Sequence, residues 1–288
     1  MNPLIAEFFD PVTGTYSYVV SDPATRRAAI IDPVLDFDPS SGRTSAQGVE
    51  RILEHLAAHR LALDWILETH AHADHLSAAA LLRERTGAKI AIGAGITSVQ
   101  RHFAGVFNLA GAFTPDGSQF DRLWRDGERF AIGDLAVEVL ALPGHTKDSV
   151  GYRIADAVFV GDTLFMPDYG TARADFPGGD AGELYDSIQK LYALPPETRL
   201  FMCHDYPPQG RGPEAQTTVG EERGSNIHVG ATTTREAFIA LRTARDATLA
   251  VPRLLIPSIQ VNIRAGATPP PEANGIAYLK VPLNLLGR

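Results

Sequence analysis

The sequence is poor in cysteine, in basic residues and in long apolar runs. Its one cysteine, Cys203, excludes an internal disulfide and any zinc module built from several cysteines. No apolar run approaches the ~18 residues that a membrane-spanning helix needs. The 26 Lys and Arg against 34 Asp and Glu give a net charge of −8, which argues against nucleic acid as a partner. No basic segment precedes an apolar stretch near the N-terminus, so we expect a cytoplasmic protein with no membrane partner.

The order of apolar patterns predicts a layered α/β fold. Hydrophobic residues make up 44% of the 288 residues, which is enough for a sizeable core. Runs with helical spacing alternate with short β-rich runs, as expected for sheets covered by helices. Strands are predicted at 16–20, 27–31, 65–67, 89–92, 135–140, 150–154, 157–160 and 200–202, and helices at 46–59, 76–85, 181–194, 214–223 and 235–248. We expect one catalytic domain over 1–248 and an extension at 249–288 packed on it, mostly irregular because it has six prolines.

The strongest functional signal is a cluster of metal-ligand side chains at residues 69–75, which read THAHADH. The cluster follows a predicted buried strand and precedes a helix. The imidazoles of His70, His72 and His75 and the carboxylate of Asp74 can therefore converge on a small volume. Neutral imidazole and carboxylate are ligands that suit zinc and iron(II). Because four ligand-type residues lie in one loop, a shared metal site is favoured over four separate structural or surface roles.

Further ligand-type residues follow later strands. His145, Asp162 and His204 each come shortly after a predicted strand. The carboxyl ends of strands form the edge at which ligand sites of α/β sheets usually lie. Cys203 lies beside His204, but neighbours on a strand point to opposite faces, so we interpret Cys203 as a packed residue rather than a catalytic one.

In this order and on this strand pattern, these motifs resemble the metallo-β-lactamase superfamily. The resemblance rests on the His-x-His-x-Asp-His run, Gly-His at 144–145, Gly-Asp at 161–162 and His204. It implies an α/β fold of the αββα sandwich type, with metal at one edge of the two sheets. Asp32, after a predicted strand, matches an aspartate that the superfamily uses as a hydrogen-bonding support near the metal.

Local sequence is most similar to the persulfide dioxygenases of this superfamily. Residues 68–79 resemble their version of the metal motif, and residues 172–176 read ARADF where that family has GRTDF. The HDY run at 204–206 also matches. The tail from residue 257 to 275 resembles the bacterial β-lactamase-hydrolase-like subgroup, which extends the resemblance over nearly the whole chain.

The resemblance implies one iron(II) per chain, bound by His70, His145 and Asp162. In the dioxygenases the remaining residues of the set orient these ligands, whereas in dinuclear relatives they bind a second zinc or iron ion. The sequence contains the full dinuclear set and leaves both arrangements open. The remaining residues are His72, Asp74, His75 and His204. From the same resemblance we expect catalytic roles for Asp74, His75 and Tyr206.

The reaction implied by the resemblance is the oxidation of glutathione persulfide by O2 to sulfite and glutathione. The sequence does not fix the oligomeric state, and a homodimer is compatible with it. Glutathione carries two carboxylates, so its pocket should offer cations and hydrogen-bond donors. Arg173 is the best candidate for the cation, and the hydroxyl of Tyr206 is a candidate donor. Arg211 and Arg264 are weaker candidates. A surface salt bridge is the alternative role of each arginine.

The main alternative is a glyoxalase II-type enzyme, which hydrolyses hydroxyacylglutathione thioesters at a dinuclear zinc or iron site. That family shares all the ligand residues, but it usually has a C-terminal helical domain that binds glutathione. Here two short helices and a proline-rich tail are predicted instead. A metal-stabilised binding module without turnover is disfavoured, because a structural site closes with four ligands and keeps no open position.

Overall fold

The structure is a computed structural model that describes residues 2–286. The strands are Leu4–Asp10 (β1), Thr15–Ser21 (β2), Arg27–Ile31 (β3), Val34–Asp38 (β4), Arg43–Ser45 (β5), Ala62–Leu67 (β6), Leu76–Ser77 (β7), Lys89–Gly93 (β8), Arg122–Trp124 (β9), Arg129–Ile132 (β10), Leu135–Ala141 (β11), Val150–Ile154 (β12), Ala157–Phe159 (β13), Arg199–Phe201 (β14) and Gln216–Thr218 (β15). The helices are Gln47–His59 (α1), Ala79–Thr86 (α2), Ile96–Val106 (α3), Ala181–Tyr192 (α4), Val219–Ser225 (α5), Arg235–Asp246 (α6) and Leu255–Asn262 (α7).

The strands form two six-stranded sheets and one small sheet. The first sheet has the order β1-β2-β3-β6-β8-β9. Strands β1, β2 and β3 pair antiparallel, and the pairs from β3 to β9 are parallel. The second has the order β10-β11-β12-β13-β14-β15 and is antiparallel except where β13 pairs with β14. Strands β4, β5 and β7 form the small sheet.

Apolar side chains hold four layers together. Tyr18 and Ile31 of the first sheet belong to one buried cluster with Tyr152 and Phe159 of the second, so the two sheets pack face to face. Helices α1, α2 and α3 cover the outer face of the first sheet, and α4 and α6 cover that of the second. Each helix buries its apolar stripe there, which is the main source of helix stability in a globular domain. The αββα sandwich expected from the sequence is confirmed.

The predicted helix at 214–223 is wrong in its first part. Thr217 and its neighbours form β15 and pair with β14, in keeping with the strand preference of β-branched residues. The helix begins only at α5, where Thr218 and Glu221 form a capping box in which each side chain bonds the backbone N–H of the other residue.

The extension at 249–288 contains a buried helix, α7, which the expectation of a mostly irregular, proline-rich segment did not include. Pro257 lies in the first turn of α7, where a missing N–H breaks no intrahelical bond. Leu255, Ile259 and Ile263 join the apolar cluster under the first sheet. Across residues 2–286, none of the helices has both the length and the apolarity that crossing a bilayer requires.

Candidate metal centre and its cavity

Four strand ends bring ligand-type side chains to one edge of the sandwich. The loop that carries His70 follows β6 of the first sheet, while His145, Asp162 and His204 follow β11, β13 and β14 of the second. Gly144 allows the close approach before His145, because it has a φ of 138° and a Cβ there would collide with the α4 backbone. The two sheets therefore contribute ligands to a common site.

His70, His145 and Asp162 form the first ligand group. Asp162 Oδ2 lies 3.9 Å from His70 Nε2 and 3.8 Å from His145 Nε2, and all three residues are buried. His145 Nδ1 donates to the carbonyl oxygen of Arg173 at 2.7 Å, which fixes the ring with Nε2 facing the group. The geometry is that of two imidazoles and one carboxylate around a single point.

Unpaired buried atoms show that this site suits a metal ion. They are Nε2 of His70, His75 and His204, Oδ2 of Asp74 and Oδ1 of Asp162. None of these atoms forms a hydrogen bond of good geometry among the described residues, although His204 Nε2 approaches both carboxylates closely enough for an ion pair. Buried polar atoms without partners are costly and rare in folded proteins. Coordination of a cation would satisfy these nitrogens and oxygens at once.

A second ligand group consists of His72, Asp74, His75 and His204. His204 Nε2 lies 3.1 Å from Asp74 Oδ2 and 3.4 Å from Asp162 Oδ1. Asp162 thus presents one carboxylate oxygen to each group. Both the mononuclear and the dinuclear arrangement are sterically available.

Asp32 supports the site by hydrogen bonds, as expected from the sequence. Its Oδ1 accepts from the backbone N–H of Thr69 at 2.7 Å and from His72 Nε2 at 2.9 Å, and its Oδ2 accepts from the Thr69 hydroxyl at 2.8 Å. Burial alone would raise the pKa of Asp32, but His72 and these hydrogen bonds hold it below its ordinary value. His72 is thereby tied to Asp32 through Nε2 and keeps Nδ1 for another partner.

The protonation states of His70, His75 and Asp74 favour metal binding, whereas that of His72 does not: burial would lower the pKa of His72, but Asp32 and Cys203 raise it above its ordinary value. Burial, followed by the charge of His72, lowers the pKa of both His70 and His75, so both imidazoles stay neutral. Burial would raise the pKa of Asp74, but His204 and His75 hold it below its usual value. Neutral imidazole and ionised carboxylate are the forms that coordinate a metal.

The prediction that Cys203 points away from His204 is wrong. Cys203 Sγ lies 3.6 Å from Asp32 Oδ2, and Cys203 falls in one ligand-type group with Asp162 and His204. Strand β14 ends at Phe201, so the alternation of side chains across a strand no longer applies at these two residues. Burial raises the pKa of the Cys203 thiol, which opposes the thiolate that a nucleophile or ligand would need.

Asn262, at the end of α7, is a site residue that sequence reasoning missed. Its Nδ2 donates to the carbonyl oxygens of His72 and His75 at 2.8 Å each, and its Oδ1 accepts from the N–H of Ser77 at 2.8 Å. Asn262 therefore holds the second half of the metal loop, residues 68–75, in place. No local signal marked it, because it lies in the extension and far from the loop in sequence.

A cavity of about 240 Å³ opens onto the first ligand group. Asp74, His145 and Asp162 lie on its wall together with Tyr206. The Tyr206 ring stacks on that of His204 with an angle of 8° and a centroid distance of 5.6 Å. The cavity therefore leads from the ligand atoms to the protein surface.

A larger cavity of about 470 Å³ lies elsewhere on the molecule. Within the described residues it shares only His75 with the ligand groups, and its wall has the carboxylates of Asp10, Asp36 and Asp38 against the single cation of Arg43. That acidic wall is unsuited to an anionic substrate. The cavity at the first ligand group is the better candidate for a binding site, and a further cavity of about 570 Å³ adjoins it through Arg173 and Phe176.

Arg173 lines the smaller cavity, but its guanidinium is largely committed within the protein. Nε and Nη2 donate to the two carboxylate oxygens of Asp175 at 2.6 and 2.8 Å, and Nη1 donates to the carbonyl oxygen of Ala250 at 2.6 Å. This bidentate pair neutralises the arginine charge.

Arg211 and Arg264 lie outside the residues that line this cavity. Arg211 is held between two carboxylates, with Nη1 at 2.7 Å from Asp205 Oδ2 and Nε at 2.8 Å from Asp168 Oδ2. The guanidinium carbon of Arg264 lies 4.6 Å from the ring centre of Phe113. Of the three arginines proposed from the sequence, the structure brings only Arg173 to the ligand groups.

Comparison with known proteins agrees with this architecture. Residues 10–204 match the sequence profile of the Metallo-beta-lactamase superfamily. A crystal structure of ETHE1 from Myxococcus xanthus superposes with a TM-score of 0.72 and 34% identity, covering 92% of this chain and 100% of that one.

Three curated relatives differ in their names. A beta-lactamase hydrolase-like protein of Agrobacterium fabrum is 55% identical over 99% of this chain, which spans 65% of that relative's length. Glyoxylase B2 of Dictyostelium discoideum is 50% identical, covering 95% of this chain and 94% of the relative. The mitochondrial persulfide dioxygenase ETHE1 of Bos taurus is 31% identical, covering 93% of this chain and 91% of the relative.

Proposed function

This chain belongs to the metallo-beta-lactamase superfamily, and within it we propose that it is a persulfide dioxygenase that oxidises glutathione persulfide with O2 to sulfite and glutathione. The observation that carries the proposal is the buried convergence of His70, His145 and Asp162 at the end of an open cavity. Two imidazoles and one carboxylate are the ligand set typical of non-haem iron(II) enzymes that use oxygen. The similarity to a persulfide dioxygenase over most of the chain supports the same assignment.

His70 and His145 would hold one iron(II) through Nε2, and Asp162 would hold it through a carboxylate oxygen. When bound, iron(II) would supply affinity for both a soft persulfide sulfur and O2, so that the two reactants meet in one site. The chain itself fixes the ligands. Asp32 orients the metal loop through Thr69, and the Arg173 carbonyl orients the ring of His145.

The residues around the ligands orient each other and the substrate. Asp74 faces His75 Nδ1 at 3.4 Å and His204 Nε2 at 3.1 Å, so its negative charge positions both imidazoles. Burial raises the pKa of Tyr206, so its phenol keeps its proton and can donate a hydrogen bond to the substrate at the cavity wall. The ring of Phe165 also lines this wall. Its apolar surface would keep water away from the persulfide sulfur of the bound substrate.

An oxygen electrode tests the proposal on protein purified without oxygen and loaded with iron. We expect O2 uptake only when glutathione persulfide is added, with one O2 consumed for each sulfite formed. Glutathione or sulfide alone should give no uptake, because neither carries a sulfane sulfur. A sample treated with a chelator is the matched control. Full iron loading without persulfide-dependent uptake would contradict the assignment.

The second ligand group favours one alternative, a glyoxalase II-type hydrolase with two metal ions. His72, Asp74, His75 and His204 lie beside the first group, and Asp162 faces both. A relative that is 50% identical to this chain is also named a glyoxylase. Metal analysis separates the two functions, since about one iron per chain is expected for the dioxygenase and two metals for the hydrolase. Fast hydrolysis of lactoylglutathione without persulfide-dependent O2 uptake would establish the alternative.

A further inference from the structure

Three arginines surround the cavity, and two of them are neutralised inside the protein. Arg173 is paired with Asp175 as described above. Arg242 is buried, with Nε donating to Asp246 Oδ1 at 2.9 Å and Nη1 donating to the carbonyl oxygen of Thr171 at 3.1 Å. These two side chains build the cavity wall and offer little net charge to a ligand.

Arg245 is the third arginine, and it is uncommitted. It lies one turn after Arg242 on α6, it is exposed, and it lines the same cavity as Asp74 and Asp162. Within residues 2–286 its guanidinium has no ion pair and no side-chain hydrogen bond. Its charge acts on neighbouring groups, because burial first, then Arg242 and Arg245, lower the pKa of His228 to about 4. Among the described residues, the cavity rim therefore carries one cation that no carboxylate neutralises.

The cavity wall combines two kinds of polar group. His145 and Asp162 are ligand-type residues, and Arg245 is a cation without a carboxylate partner among the described residues. Apolar side chains, among them Phe176 and Leu249, also form the wall. A volume of about 240 Å³ is below the ~300–1,000 Å³ of sites that enclose a drug-sized ligand, so a peptide-sized substrate must extend beyond this cavity, past the rim at Arg245 and toward an adjoining cavity of about 570 Å³ that shares Phe176 and Leu249.

We propose that Arg245 binds a carboxylate of the substrate and makes the enzyme selective for anionic low-molecular-weight persulfides over neutral ones. The proposal rests on the persulfide dioxygenase function proposed above and identifies the residue that recognises the non-reacting part of the substrate. Guanidinium and carboxylate form two parallel charge-assisted hydrogen bonds, which neither an amide nor a hydroxyl of the substrate can replace.

Substrate discrimination gives the first test. The measured quantity is the ratio of kcat/KM for glutathione persulfide to kcat/KM for the persulfide of 2-mercaptoethanol, which has no carboxylate. Arg245→Gln should lower this ratio about fivefold to tenfold, whereas Arg245→Lys, which keeps the charge but loses the bidentate pair, should give a ratio between the two. Arg101→Gln removes the same charge from the exposed face of α3 and should leave the ratio unchanged. An unchanged ratio in Arg245→Gln, or an equal fall in Arg101→Gln, would overturn the proposal.

Direct binding separates this proposal from the proposed function. Calorimetry with S-methylglutathione, which cannot react, should give a Kd about fivefold to tenfold higher for Arg245→Gln than for the unaltered protein. The dimethyl ester of the same ligand should bind both proteins alike. If the unaltered protein shows no persulfide-dependent O2 uptake, the dioxygenase function fails while this binding difference still supports Arg245 as a carboxylate receptor. Equal Kd values for S-methylglutathione would refute the role of Arg245 whatever the reaction.

Discussion

Asp162 is the residue at which the two ligand groups meet. Its Oδ2 faces His70 and His145, and its Oδ1 lies 3.4 Å from His204 Nε2. A carboxylate can bridge two metals or bind one and accept a hydrogen bond with its other oxygen. The choice between mononuclear and dinuclear chemistry thus depends on which partner occupies Oδ1.

Replacing His70, His145 or Asp162 with Ala should abolish bound iron, because each removes one of three direct ligands. Asp74→Ala and His75→Ala should instead weaken iron binding by ~10–100-fold, as changes around a ligand set do. Iron per chain after anaerobic loading measures this. His102→Ala, on the exposed side of α3, is the matched control and should load fully. A wild-type protein with two metals, emptied equally by Asp74→Ala, would refute the mononuclear assignment.

Arg173→Ala should keep the iron and raise KM for glutathione persulfide, because Arg173 lines the cavity. Its charge is already paired with Asp175, so the increase should be smaller than for Arg245→Gln. Steady-state O2 uptake gives KM and kcat separately. Arg101→Ala, on the exposed face of α3, should leave KM unchanged. Unchanged kinetics in Arg173→Ala would remove that residue from the substrate site.

At the scale of elements, α7 joins the extension to the metal loop. The helix buries apolar residues under the first sheet, and Asn262 at its end bonds the backbone on both sides of Asp74. The loop has no regular structure of its own between β6 and β7. Its conformation therefore depends on contacts with Asp32 on one side and Asn262 on the other.

Asn262→Asp should weaken iron binding about 10–100-fold and lower the free energy of unfolding by ~2–4 kcal/mol. The change removes two donated hydrogen bonds and places a buried carboxylate against the carbonyl oxygens of His72 and His75. Iron titration and denaturant unfolding of the metal-free protein measure the two effects. Asn274→Asp makes the same change in the exposed tail and serves as the control. Wild-type iron affinity in Asn262→Asp would show that α7 does not position the loop.

At the scale of the whole molecule, the metal centre lies where the two sheets meet. His70 comes from the loop after β6 of the first sheet, whereas His145 and Asp162 follow strands of the second. A metal bound by all three would cross-link the two halves of the sandwich. Such a metal binds the folded state alone and so stabilises it.

Metal removal should lower the melting temperature of the protein. Restoring iron(II) at about 100 times its Kd should add ~2.7 kcal/mol to the free energy of unfolding, which corresponds to a rise of roughly 5–10 °C. Differential scanning calorimetry under anaerobic conditions measures this rise. Asp162→Ala should show no rise under the same conditions. An equal rise in that variant would mean that the metal binds elsewhere.

The sequence by itself determined the layers of the fold and the set of ligand-type residues. Strand and helix periodicity is local, and His70, His145, Asp162 and His204 are recognisable because each follows a strand end. The ligand edge of an α/β fold is set by strand direction, so these residues could be assigned to one site before any contact was known.

Only the tertiary structure decided which side chains around the ligands are free to act. Arg211 and Arg173 are committed to carboxylates, while Arg245 has no carboxylate partner within residues 2–286. Asn262 reaches the N–H of Ser77 across 185 residues of sequence. Hydrogen bonds and ion pairs between distant segments have no local pattern, because they depend on where packing brings the chain. The sequence determines the chemistry that each residue type can perform. Only the tertiary structure determines whether its hydrogen-bond donors and its charge are already paired with other residues.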